Sequence, residues 1–156
     1  MEATGPVTRS VAVATAVGHG HVSHRPYVTA VSRALEAQDI AVGDVTVTVG
    51  AKGHRRATLA LYPAPGAFNE SVPDQAVTCW DEETGWSLSF PLDSPGSRFR
   101  EGSEVLPEPG SVAAWLVVAL THPALASTDP GSDRFRDHRT NDPVFEARLA
   151  SYTPGW

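Results

Sequence analysis

Val45-Thr46-Val47-Thr48-Val49-Gly50-Ala51-Lys52-Gly53-His54-Arg55-Arg56-Ala57-Thr58-Leu59-Ala60-Leu61-Tyr62 is the stretch that decides the fold. Valine alternates with threonine over 45–49, and Leu59 and Leu61 alternate with Thr58 and Ala60. A period of two sends successive side chains to opposite faces, so each run reads as a half-buried strand. Gly50 to His54 supply the turn, and the two runs read as a β-hairpin.

Upstream the period is that of a helix. Tyr27, Val28, Val31 and Leu35 form one apolar stripe on a helix starting at Pro26, where a missing N–H costs nothing, and ending near Gln38–Asp39. Downstream, Ala76–Trp80 and Trp86–Phe90 are expected strands around Asp81-Glu82-Glu83-Thr84-Gly85, with Gly85 available for a positive φ. The Pro- and Gly-rich stretches 63–75 and 91–110 read as loops, with Ser97–Arg100 a candidate fifth strand. Val112–Leu120 is apolar without a break, which predicts a buried helix capped by Ser111. The expected order is α-β-β-β-β-α, an α+β fold of two layers in which two helices cover an antiparallel sheet. Residues 1–22 are expected to be a flexible segment, 23–123 the domain, and 124–156 a tail with a short helix around Val144, Phe145, Leu149 and Tyr152.

Composition excludes several classes. At 156 residues with 41% hydrophobic content the chain can build a core, and no apolar run approaches the ~20 residues that cross a bilayer. A net charge of −6 gives no global grip on nucleic acid, and the lone Cys79 excludes an intrachain disulfide. Val11–Val17 has the length of a secretory apolar core but lacks Leu and Phe and follows Glu2, so a cytoplasmic protein is expected. Signatures of P-loop, dinucleotide, α/β-hydrolase and metalloprotease sites are absent.

Each chemistry-bearing cluster has a structural reading beside its functional one. Trp80 and Trp86 are expected to face each other across the hairpin, as a cross-strand pair of ~0.2–1 kcal/mol or as an aromatic wall for a ligand. Asp81, Glu82 and Glu83 could share a proton or hold a cation; the reading adopted is a turn whose acids point into water. His19, His21 and His24 have zinc-, nickel- or copper-like spacing, yet no fourth ligand is evident; a mobile segment and no cofactor are expected. Cys79 is a nucleophile only if a base such as His54, His122 or His138 reaches it; the adopted reading is a small buried hydrophobe. The catalytic candidates are therefore Cys79, His54 and Asp81. Arg55, Arg56, Arg98 and Arg100 are basic points suited to phosphate, and Arg134-Phe135-Arg136-Asp137-His138-Arg139 is a further cluster diluted by acids.

The stretch Cys79-Trp80-Asp81-Glu82-Glu83-Thr84-Gly85-Trp86-Ser87-Leu88, with Val105-Leu106-Pro107-Glu108-Pro109 leading into the Ala/Val/Trp helix, resembles a family of small actinobacterial domains of unknown function. The resemblance runs from about Tyr27 to about Leu120 and implies a cytoplasmic α/β domain with no established activity. The element order is also similar, in topology alone, to chaperone-like modules related to type III secretion chaperones. Fold does not fix function.

Together these readings favour a non-catalytic binding or regulatory module that engages a protein segment or small ligand through its sheet, with Trp80, Trp86, Arg55, Arg56, Arg98 and Arg100 as contacts. The apolar Val112–Leu120 helix makes a homodimer the expected self-association. The alternatives are a small enzyme of specialised metabolism with a pocket between helices and sheet, and, more weakly, a nucleic-acid adaptor. Neither a membrane nor a nucleic-acid partner is expected.

Overall fold

The computed structural model describes residues 22–63, 76–89, 98–101, 104–121 and 134–154. Helix α1 (Arg25–Glu36) has Pro26 in its first turn, and the stripe Tyr27, Val28, Val31 and Leu35 is buried throughout. Asp39, at φ 63°, turns the chain into strand β1 (Ile40–Val49). Strands β2 (Arg55–Pro63), β3 (Ala76–Asp81), β4 (Gly85–Ser89) and β5 (Arg98–Arg100) follow, and the five pair antiparallel in sequence order. Helices α2 (Pro109–Thr121) and α3 (Pro143–Ala150) complete the described chain. The fold is α+β, and the candidate fifth strand is present. No helix among the described residues is long and apolar enough to cross a membrane.

Directly paired residues share a sheet face. Leu59, Thr78 and Leu88 form one buried row, and Ala57, Trp80 and Trp86 the next. Helix α1 packs on α2 and β1, and α2 reaches β4, so this is the face the helices cover. The opposite face carries the row Thr46, Thr58, Cys79, Ser87 and Arg100, all of them exposed or half-exposed.

Three expectations change. Helix α2 begins at Pro109, and Ser111 donates its backbone N–H to Glu108 O inside the first turn instead of capping it. The described C-terminal residues are built into the domain: Phe145 and Leu149 of α3 join the core, and Asp142 caps α3 by accepting from Phe145 N at 3.1 Å. Finally, β1 is less buried than its alternation implies. Beyond an irregularity between Val42 and Val45, its valines face the covered side, but Val45 remains 39% and Val49 42% exposed. Of these three valines, Val47 packs against the core.

The middle of the core is aromatic. Trp80 and Trp86 are register partners, as expected, and Tyr27 reaches both from α1. Their polar atoms are consumed internally. Trp86 Nε1 donates to Tyr27 Oη at 3.0 Å, Tyr27 Oη donates to Pro107 O at 2.6 Å, and Trp80 Nε1 donates to Val105 O at 2.7 Å. Burial pushes the Tyr27 phenol above its ordinary pKa.

Candidate functional site

The β3–β4 turn is shaped by its own residues. Gly85 adopts φ 83°, Thr84 N–H donates to Asp81 O, and Asp81 Oδ1 accepts from Glu83 N at 2.8 Å. Glu104 O lies 3.1 Å and Phe135 Cε2 3.3 Å from where a Cβ at position 85 would stand, so glycine also admits close packing here.

Two of the three acids of this turn do not point into water. Glu82 is 0% exposed, and Glu83 is buried too. The expectation of a solvated acidic loop fails because arginines wait beneath it. Glu82 Oε1 accepts from the Arg55 backbone N (2.6 Å) and Nε (3.2 Å), and Oε2 accepts from Arg55 Nη2 (2.9 Å) and Arg136 Nη1 (2.6 Å). Arg55 also binds Glu146 of α3, with Nη2 donating to Oε2 at 2.6 Å, and its Nη1 donates to Val22 O at 2.6 Å. The Arg136 guanidinium lies over the Phe145 ring at 4.0 Å. Two cations and two anions thus close a clasp joining Val22, the hairpin tip and α3. Burial alone lowers the pKa of Arg55, yet its bonds to Glu146 and Glu82 outweigh burial and the net shift is upward.

Beside the clasp lies a second polar group. His54 Nε2 meets Asp81 Oδ1 at 2.8 Å, and His138 Nδ1 meets Glu83 Oε2 at 2.7 Å. The two imidazoles stack with centroids 4.5 Å apart and planes 9° from parallel. Burial pushes Glu83 up, but the bonds from His138 N and Nδ1 prevail and hold its carboxyl below the ordinary value. One donor atom each from His54, Glu83 and His138 lie within 4.8 Å of one another, a set able to meet a metal ion.

The remaining candidates fall elsewhere. Trp80 and Trp86 are buried in the core, so the hairpin presents no tryptophan wall to a ligand. Arg55 is buried in the clasp, Arg56 is 62% exposed and paired with Asp81 Oδ2 at 3.1 Å, and Arg100 Nη2 donates to Thr84 O. The backbone of Arg98 pairs with Ser89. Cys79 is half-exposed on the sheet face opposite the helices; among the described residues the group recorded at its sulfur is the Thr58 hydroxyl at 3.9 Å, which is no base, and His122 lies outside the described residues. Of the three catalytic candidates, His54 and Asp81 are brought together. His19 and His21 lie outside the described residues. His24 is buried against Trp80 with Nε2 donating to Arg56 O at 2.8 Å, and burial drops its pKa to about 4.

Sequence reasoning missed Glu82, Glu83, Arg136, His138 and Glu146 as a cooperating set. One signal was available: Arg55 is in phase with Ala57, Leu59 and Leu61, so the alternation sends it inward, where a guanidinium requires carboxylates.

The model of a family of unknown function, DUF6292, matches residues 27–118, more than half of the chain. The chain belongs to that family. No curated protein and no solved structure matches it. The matched span of this DUF6292 member holds the aromatic core, Arg55 and the acidic turn, whereas Arg136, His138 and Glu146 lie beyond it.

Proposed function

We propose that this protein is a non-catalytic binding module that receives an extended protein segment along the edge of β1. The observation that carries the reading is the exposed apolar margin of that strand. Among the described residues β1 is a ten-residue edge strand, and with Val45 and Val49 open on one face it offers backbone hydrogen-bonding groups and side-chain contacts in the spacing that strand addition uses. Support for a non-catalytic role comes from the layer between helices and sheet. The enzyme alternative needs a pocket there, and Tyr27, Trp80 and Trp86 fill that layer with their polar atoms already bonded. A nucleic-acid role is disfavoured because Arg55 and Arg136 are engaged by Glu82 and Glu146. The cytoplasm is the compartment this reading assumes, and the outward side of α2, with Ala114 and Val118, is the surface for a second copy.

The test is capture of partners from the source cell's lysate, followed by synthesis of the captured segment as a peptide. That peptide should slow amide exchange along Ile40–Val49, and a Val45→Lys/Val49→Lys variant that remains folded should lose binding. Protection confined to another surface, or equal binding by the variant, overturns the reading. Sedimentation of the full chain checks self-association: a dimer unaffected by Val118→Glu removes α2 as its contact.

A further inference from the structure

We propose that His54, Glu83 and His138 form a binding site for a divalent ion of the zinc class. In the neutral imidazoles, a carboxylate partner fixes where the proton lies, since carboxylates only accept. Asp81 Oδ1 holds it on Nε2 of His54, and Glu83 Oε2 holds it on Nδ1 of His138. Each ring keeps one unprotonated nitrogen. That of His138, Nε2, is buried without a hydrogen-bond partner, the one such side-chain atom recorded among the described residues. A buried lone pair with no donor to meet it is a standing cost, and an electrophile would remove it. The pairing of His54 with Asp81 is also the support that orients metal-ligating histidines and raises their basicity, whereas Glu83 becomes a ligand only by releasing His138 Nδ1.

The dimensions are compatible. One ligand atom each from His54, Glu83 and His138 lie within 4.8 Å of one another, and bonds of about 2.0–2.2 Å to a tetrahedral ion require the donors to close to roughly 3.3 Å. The two rings stack with planes 9° from parallel, and binding one ion tilts them out of the stack. Arg134 Nη1, 3.7 Å from Glu83 Oε1 and 4.0 Å from Asp137 Oδ2, is half-exposed and must swing aside. Two imidazoles and a carboxylate without a thiolate select zinc, cobalt or nickel over magnesium and calcium, which require oxygen ligands. The ion would tie the loop before β2, the hairpin tip and the C-terminal segment together. These residues are distinct from the β1 docking strip, so either proposal can fail alone.

The test uses the full chain without an affinity tag, titrated with Zn2+ by calorimetry, with Co2+ by visible absorption, and with Mg2+ as a control. One equivalent of Zn2+ should bind, weakened at least about tenfold by Glu83→Gln and by His138→Ala, and unchanged by His19→Ala/His21→Ala. Nitrogen NMR of the unaltered chain supplies a readout independent of variant folding: Zn2+ should shift the ring nitrogens of His54 and His138. Absence of binding, binding indifferent to Glu83→Gln and His138→Ala, loss of binding in His19→Ala/His21→Ala, or ring nitrogens of His54 and His138 that do not move would each overturn the site.

Discussion

The strands and the tip of the β3–β4 hairpin both carry buried side chains, yet they are held by opposite means. On one side Trp80, Trp86 and Tyr27 form an aromatic mass whose hydrogen bonds are few and neutral. At the tip, Glu82 sits among Arg55 and Arg136 in a clasp of full charges. The aromatic side gains from area removed from water and tolerates small changes of shape. The charged tip gains only while every partner is present, since an unmatched buried ion costs more than the pair contributes. The hairpin is therefore adaptable along its strands and brittle at its turn.

That contrast can be broken in four ways. The largest effect should come from Glu82→Ala, which takes from the buried Arg55 and the half-buried Arg136 the carboxylate they share and should cost about 3–5 kcal/mol in urea denaturation. A loss below about 1 kcal/mol would mean that the clasp is solvated.

Acid comes next. His24 has a folded pKa of about 4 against 6.5 when free, so it is bound neutral. Its contribution is complete above about pH 6.5 and falls away as the pH drops to about 4, by about 3 kcal/mol in total. Denaturation of the wild type and His24→Gln across this range checks it, and the variant should show the flatter profile.

On the aromatic side, Trp86→Phe keeps most of the volume but removes the donor to Tyr27 Oη, and should cost about 1–3 kcal/mol. The smallest effect should be that of Asp142→Ala, which removes the α3 cap at Phe145 N for about 1 kcal/mol by thermal unfolding. If Trp86→Phe proved costlier than Glu82→Ala, the assignment of brittleness to the turn would be reversed.

The aromatic side was legible in the sequence and the charged tip was not, for a physical reason. Alternation in Leu59, Leu61, Trp80, Trp86 and Leu88 reports which face is buried, because the signal is local and repeats every second residue. The turn composition likewise announced Gly85, whose positive φ the structure bears out. The partners of Glu82 are Arg55, 27 residues before it, and Arg136, 54 residues after it, and no local pattern encodes a pairing at such range. Three adjacent acids therefore read as a solvated loop. The stacking of His54 on His138 was hidden in the same way: both read as candidate bases for Cys79, but spacing along the chain does not say which groups the fold brings together.

Amide hydrogen exchange on the intact chain, comparing wild type with Glu82→Gln, tests most directly whether buried charge makes residues 134–154 part of the domain. The clasp predicts that this segment is as protected as β3 and β4 in the wild type and opens selectively in the variant while the strands stay closed. A segment that exchanges freely in the wild type, or whose protection Glu82→Gln leaves untouched, would contradict it.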